Sequence, residues 1–438
     1  MLNFLADSVL TPILPFFLGT VGIILYIDLR FFPFLKLKTI IKTLFQKSDT
    51  SSLRALSVAL AGTLGVGNIV GVAYAITQGG AGALFWMWVS AVLAMILKYA
   101  ETLLAIRFRR EVDPKKSLLP AIKEHVGGAM YYIPHRFFSR LFALLCVASS
   151  FTVGNLLQTK AVSDAFSESF SLSPYLVGAA LALLTFLVIY RGIGRITRFC
   201  SIVVPLLSFF YLAMCLTVLA KNLTALPFLF KTVLKDAFSL RAATGGIGTT
   251  VMLSALRAGF SKGLVTNEAG CGTAPIAHAS SQTDKAVKQG LLGIVEVFFD
   301  TIVLCTASGL VFLLALQQNP SLSGYSLVLY AFNTLFGKIA VYIMPICIFF
   351  FVLATLVSWS YYGRSALRYF TKNRLILTGY LILFSAVAFF GAIGSAEIFW
   401  QLSDVTLGLM ALINTGYLLY FRRTLKQETE AYFHNKKG

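Results

Sequence analysis

The chain has 438 residues, 57% of them hydrophobic and only 13% charged, with a mean hydropathy of +0.79. Soluble domains carry roughly 25% charged residues, so a water-soluble enzyme or scaffold is excluded. The net charge of +19 would suit a nucleic-acid binder, but its distribution argues against one.

About eleven apolar runs are long enough to cross roughly 30 Å of hydrocarbon. They fall near 10–28, 55–77, 82–105, 140–167, 175–190, 199–220, 244–266, 287–315, 338–362, 375–394 and 398–421. The first has no Lys or Arg before Arg30 and no small-residue cleavage site, and reads as a retained helix rather than a signal peptide. The second is interrupted by GTLGVGN (Gly62–Asn68). An unpaired backbone group in hydrocarbon costs several kcal/mol, so a break at that depth survives only where it lines a cavity or a ligand. Close helix packing would explain Gly67 and Gly71, but it fits the crowding of Gly62, Gly65 and Gly67 poorly.

Farther along, Lys98 and Glu101 stand three residues apart and suit an ion pair. The loop 106–139 is expected to hold a short interfacial helix. Asn155 and Gln158, at i and i+3, share one helix face; both helix glue and site lining remain open for them. The aromatic, amphipathic segment 222–243 suits the surface of the bundle. A second glycine-broken segment runs from Gly245 to Gly272. Glu296 and Asp300 lie at i and i+4 in the eighth run, with Arg257 and Glu268 on the seventh, and Asp404 stands in the last. Charges at such depth are costly and point to a structural network or a proton pathway. In the ninth run Thr355, Ser358 and Ser360 offer hydroxyls and Trp359 an aromatic wall.

Of the 37 Lys and Arg, 29 fall in alternate loops: 29–54, 106–140, 191–198, 261–288, 363–374 and the tail from Arg422. That asymmetry places the amino terminus outside and the carboxyl terminus in the cytoplasm. Anionic lipid headgroups are partner enough for these loops; neither nucleic acid nor an obligate protein partner is expected. The six cysteines have no CxxC spacing, and the four histidines lie at loops, a helix-end region or the tail, so no metal or haem cofactor is expected. Cys271 and His278 are two helical turns apart, too far for a nucleophile and its base, so no enzyme is expected.

The chain reads as one all-α transmembrane domain. An extra helix and basic loop (1–53) precede two sets of five helices (54–221 and 242–421) and a tail (422–438). An odd number of helices per half inverts the second half, and a glycine-broken helix opens each; paired broken helices point to a transporter's substrate site. The amino end of an unwound stretch presents N–H groups to a carboxylate, and the carboxyl end presents carbonyls to Na⁺ or an ammonium. An amino-acid zwitterion with Na⁺ matches both.

The segment GTLGVGNIVGVAYAITQGGAGALFWMW resembles the GxGNIxGVAxAIxxGGxGAxFWMW signature of the alanine or glycine:cation symporters, the sodium:alanine symporter family. LKYAETLLAIRFR, GGAMYYI, GNLLQ, NEAGCGTAPIAHA, FFDTIVLCT and SWSYYG extend the similarity from about residue 54 to 415. The resemblance implies eleven helices, with one extra helix before a leucine-transporter-like 5+5 inverted repeat. It also implies cell-membrane uptake of alanine and glycine by alternating access, driven by Na⁺ or in some members by H⁺. Carried over by matching positions, Gly65, Gly67, Asn68, Gln158, Asn267 and Trp359 bind substrate. Gly62 and Gly65 with Thr355 and Ser358 are the Na⁺ candidates, Na⁺ being a coupling ion rather than a cofactor. The chain departs from the pattern at Ala129, Thr159, Lys160, Cys271 and Thr273. Lys160 is the change that bears on substrate range, and it is expected to snorkel to the surface.

Overall fold

An α-helix satisfies its own backbone, which is why apolar runs of this length become helices in hydrocarbon. The computed structural model describes residues 11–44, 50–111, 125–190, 192–240 and 251–434. Helix α1 (Thr11–Asp28) leads into two short helices, α2 (Phe32–Leu35) and α3 (Leu37–Leu44). The second crossing is two half-helices, α4 (Thr50–Thr63) and α5 (Val70–Gly79), followed by the long α6 (Gly82–Arg107). A two-residue antiparallel pair, β1 (Arg110–Glu111) with β2 (His125–Val126), and α7 (Ala129–Tyr132) fill the described part of the next loop. Residues 112–124, where the rest of the expected interfacial helix would fall, lie outside the described residues.

Helices α8 (Arg136–Phe151) and α9 (Leu157–Phe170) form one crossing, joined by a π-helical turn over Thr152–Leu156. Then come α10 (Pro174–Ile189), α11 (Ile193–Lys221) and the amphipathic α12 (Leu226–Ala237). The second broken crossing is α13 (Val251–Asn267) with α14 (Ala274–His278). A π-helical turn over Phe298–Cys305 links α15 (Ala286–Val297) to α16 (Thr306–Gln318). The chain continues through α17 (Gly324–Phe336), α18 (Ala340–Arg368), α19 (Arg374–Ile393), α20 (Ala396–Tyr420) and α21 (Arg422–His434).

Among the described residues, seven helical stretches are long and apolar enough to cross a membrane, and α1 and α10 are shorter apolar helices. With the two broken pairs, these account for eleven crossings: α1, then five and five. Two features depart from the expected runs. The segment after the eighth run is not a bare loop but carries α17. The second break is confined to Glu268–Thr273, with left-handed φ at Glu268 (49°), Gly270 (82°) and Gly272 (75°); Gly245 lies outside the described residues.

Helix α1 stands against α6 and α20, while α18 packs on α4, α8, α9 and α11. Small residues set the closest approaches, as is usual where lipid supplies no hydrophobic drive. A Cβ on Gly259 of α13 would lie 2.6 Å from the Ala83 carbonyl oxygen of α6. The two breaks meet at the centre of the bundle: a Cβ on Gly67 would lie 3.1 Å from Thr266 Cγ2 and 3.3 Å from Thr266 Cα.

Candidate functional site

The first break leaves the last carbonyls of α4 without intrahelical partners, as every helix end does. Leu64 N donates to Leu60 O at 2.7 Å, and a tight turn over Val66–Asn68 leads into α5. Helix α18 runs beside this end of α4 and meets its carbonyls with hydroxyls. Thr355 Oγ1 donates to Ala61 O at 2.8 Å, and Ser358 Oγ to Val58 O at 2.6 Å. The Trp359 indole donates to Gly62 O at 3.3 Å, with its ring 5.4 Å from that of Tyr362. All of these side chains are buried. The result is a buried cluster of four oxygens (Val58 O, Ala61 O, Thr355 Oγ1 and Ser358 Oγ) of the hard type that suits alkali and alkaline-earth cations. Of the expected Na⁺ candidates, Thr355 and Ser358 sit in this cluster. The Gly62 carbonyl faces the indole, and Gly65 lies where a Cβ would be 2.8 Å from Thr355 Oγ1. Val58 and Ala61 are the residues that the sequence does not flag, because their contribution is backbone oxygen and their side chains carry no signal.

At the other end of the break, Gln158 Oε1 accepts from Val66 N at 3.0 Å. A Cβ on Gly65 would lie 2.6 Å from the same oxygen, so glycine is what lets the amide approach. Asn155 turns away and donates to Phe384 O at 2.6 Å, tying this crossing to α19. The π-helical turn separates the two amides: its wider winding breaks the i, i+3 register that would put both on one face. Asn155→Ala is therefore expected to lower thermal stability by about 1 kcal/mol for the lost hydrogen bond, with substrate affinity unchanged. Gln158→Ala is expected to abolish uptake with the protein still in the membrane. Purified-protein melting and radiolabel binding check the pair, and equal loss of binding in both would refute the division.

Asn267 closes α13 by accepting from Ala269 N at 3.0 Å through its own side chain. Its amide donates to Thr301 Oγ1 at 3.3 Å, which donates to Asp300 Oδ2 at 2.9 Å. Asp300 Oδ1 in turn accepts from Asn68 Nδ2 at 2.6 Å. This chain links one break to the other, with Asp300 as its buried carboxylate. Asn68 Oδ1 is buried and has no hydrogen-bond partner among the described residues.

Glu296 does not share this chain, although it stands four residues from Asp300. Glu296 Oε1 lies 3.5 Å from Lys98 Nζ, whose other carboxylate neighbour is Glu101 at 3.7 Å. Glu296 Oε2 meets His278 Nε2 at 2.8 Å, and His278 Nδ1 meets Gln289 Nε2 at 2.7 Å. Glu101 Oε2 accepts from Gly272 N at 3.0 Å and Asn414 Nδ2 at 2.8 Å, while Glu268 accepts from Thr273 at 2.6 Å. His278 is thus fully buried, unlike the loop or helix-end histidine read from the sequence, because α14 turns back into the bundle as a half-helix. Arg257 and Asp404 instead line an open cavity of about 600 Å³, where Lys262 Nζ sits 3.9 Å above the Trp400 ring. Lys160 lines another, of about 520 Å³, beside Val66 and Val70, and pairs with Asp164 one turn on at 2.8 Å.

The model of the sodium:alanine symporter family matches residues 1–438. A sodium/alanine symporter, AgcS, of Methanococcus maripaludis is 37% identical over 441 residues, covering 96% of this chain and 94% of that one. An uncharacterised transporter of Haemophilus influenzae is 36% identical, covering 97% and 94%. The crystal structure of MhsT in complex with L-phenylalanine superposes with a TM-score of 0.58 at 16% identity, covering 84% of this chain and 88% of that one. That likeness shows the fold: a leucine-transporter-type arrangement of membrane helices. The protein is a multi-pass membrane transporter and not an enzyme, and it belongs to the sodium:alanine symporter family.

Proposed function

We propose that the chain is a Na⁺-coupled symporter of small neutral amino acids, chiefly alanine and glycine, working by alternating access. The observation that carries this reading is the oxygen cluster of Val58, Ala61, Thr355 and Ser358 beside the first break. A hydroxyl oxygen keeps lone pairs when its proton turns aside, so Na⁺ between the two rows exchanges two O–H···O contacts for four ion–oxygen contacts. The substrate carboxylate takes the N–H end at Val66 together with the Gln158 amide, which turns to donate its Nε2 hydrogens to it, and the ammonium group takes Asn68 Oδ1 and the carbonyls at the end of α4. Gly65, Gly67, Asn267 and Trp359 complete the walls. The relative from Methanococcus maripaludis, named a sodium/alanine symporter, supports both substrate and ion.

The basic face is the cytoplasmic one, with the amino terminus outside. The repeats over 54–221 and 242–421 rock against each other around the two breaks. One Na⁺ entering down 100 mV supplies about 2.3 kcal/mol, enough for accumulation of some tens-fold.

Buried Asp300, hydrogen-bonded to Asn68, favours a second reading in which H⁺ is the coupling ion. Uptake of labelled alanine into proteoliposomes, under an inward Na⁺ gradient against an equal K⁺ gradient, tests both. Uptake with Na⁺ alone is the expected result. Uptake under a pH gradient without Na⁺, lost in Asp300→Asn, would establish the proton instead. No alanine uptake under either gradient would refute the substrate.

A further inference from the structure

Apart from the transport site, the structure holds a cavity of about 490 Å³ on the basic face. It lies among the start of α8, the end of α18, the start of α19 and the β1–β2 pair. Among the described residues, six arginines line it (Arg110, Arg136, Arg140, Arg364, Arg368 and Arg374), together with Lys372 and one carboxylate, Glu111. Positive-inside loops explain basic residues on this face, but not their convergence on one concavity. Arg136 and Arg140 are like charges one helical turn apart, an arrangement that weakens a helix and that a bound anion relieves. The aromatic wall is held in place: Tyr369 OH bonds Ser139 Oγ at 2.8 Å, and the Tyr131 and Tyr369 rings meet edge-on at 5.5 Å. Arg110 stacks over Tyr131 at 5.5 Å, with its guanidinium at the cavity. Burial pushes the Tyr131 phenol up to about 12, against the pull of Arg110 and Arg368.

The apolar part of the mouth is Phe370, which lines the cavity and is 42% exposed, with Leu377 beside it. Guanidinium forks match phosphate oxygens two at a time, and basic pockets between transmembrane helices on the cytoplasmic side suit anionic headgroups. The volume falls in the range of small-molecule pockets. A soluble phosphate compound would use the arginines but not the apolar mouth; a phospholipid uses both.

We propose that this pocket is a binding site for the phosphate headgroup of an anionic phospholipid, with its acyl chains leaving past Phe370. The occupant braces the end of α18, the helix that carries Thr355 and Ser358, so lipid composition bears on transport through that helix.

The test is lipid retention by full-length protein purified in detergent, read by native mass spectrometry after exposure to cardiolipin, phosphatidylglycerol or phosphatidylcholine. Wild type is expected to retain the anionic lipids about tenfold better than phosphatidylcholine, and Arg136→Gln/Arg140→Gln/Arg374→Gln to lose that preference. The control, Lys36→Gln/Lys38→Gln/Lys42→Gln, removes three charges from the same face away from the pocket and is expected to keep it. Equal loss in control and pocket variants would reduce the effect to general surface charge and overturn the proposal. Displacement by inorganic pyrophosphate with no lipid preference would overturn the lipid assignment. Should the triple variant not fold, the single Arg374→Gln, at an exposed helix start, is expected to lower retention about threefold, and unchanged retention there counts equally against the site.

Discussion

Thr355→Val is expected to raise the Na⁺ concentration for half-maximal alanine uptake by about tenfold or more, with uptake at saturating Na⁺ much less affected. Valine keeps the branched shape, so the loss isolates the hydroxyl. A contact between a polar group and a charge is worth about 1.5–3 kcal/mol, which is about ten- to a hundredfold in affinity. Ser358→Ala is expected to act in the same direction, and the double variant to show no Na⁺ stimulation. Thr355→Ser restores the oxygen and is expected to recover most of the affinity. Because Thr355 also donates to Ala61 O and Phe351 O, melting of each variant separates a folding defect from a lost ion ligand. Wild-type Na⁺ dependence in Thr355→Val would remove α18 from the cation site.

The largest stability effect is expected at Lys98. Its ammonium group is fully buried between Glu101 and Glu296, at 3.7 and 3.5 Å. Lys98→Met leaves two carboxylates in hydrocarbon-depth surroundings without their cation. Removing one partner from a buried ion pair costs about 3–5 kcal/mol, so the variant is expected to melt well below wild type or to be lost during extraction. Lys98→Met/Glu296→Gln removes one stranded charge as well and is expected to regain part of the loss. An unchanged melting profile for Lys98→Met would mean that the carboxylates do not need its charge.

Where backbone breaks by glycine, the sequence is readable: Gly62, Gly65 and Gly67 mark the first break to within a residue or two. The second is less sharply marked, because Glu268 adopts a left-handed φ that its side chain does not announce, and only Gly270 and Gly272 betray the turn. The π-helical turns are hidden altogether. Spacing rules assume 3.6 residues per turn, so Asn155 with Gln158, and Glu296 with Asp300, read as shared faces; each pair serves two different networks. His278 is a related case, since a five-residue half-helix looks like a loop in hydropathy. Backbone ligands such as the Val58 and Ala61 carbonyls belong to no residue type, and only the position of α18 reveals them.

Gly67 touches Thr266 with no side chain of its own between them, and the Asn68–Asp300–Thr301–Asn267 chain ties the same two segments by hydrogen bonds. A shift of either segment alone would break these contacts. Such a linkage has a thermodynamic signature: any factor by which Na⁺ tightens alanine binding is the factor by which alanine must tighten Na⁺ binding. The two dissociation constants, each measured with and without the other ligand, therefore close a cycle. In the proposed symport, the size of that shared factor measures how strongly the two solutes are coupled.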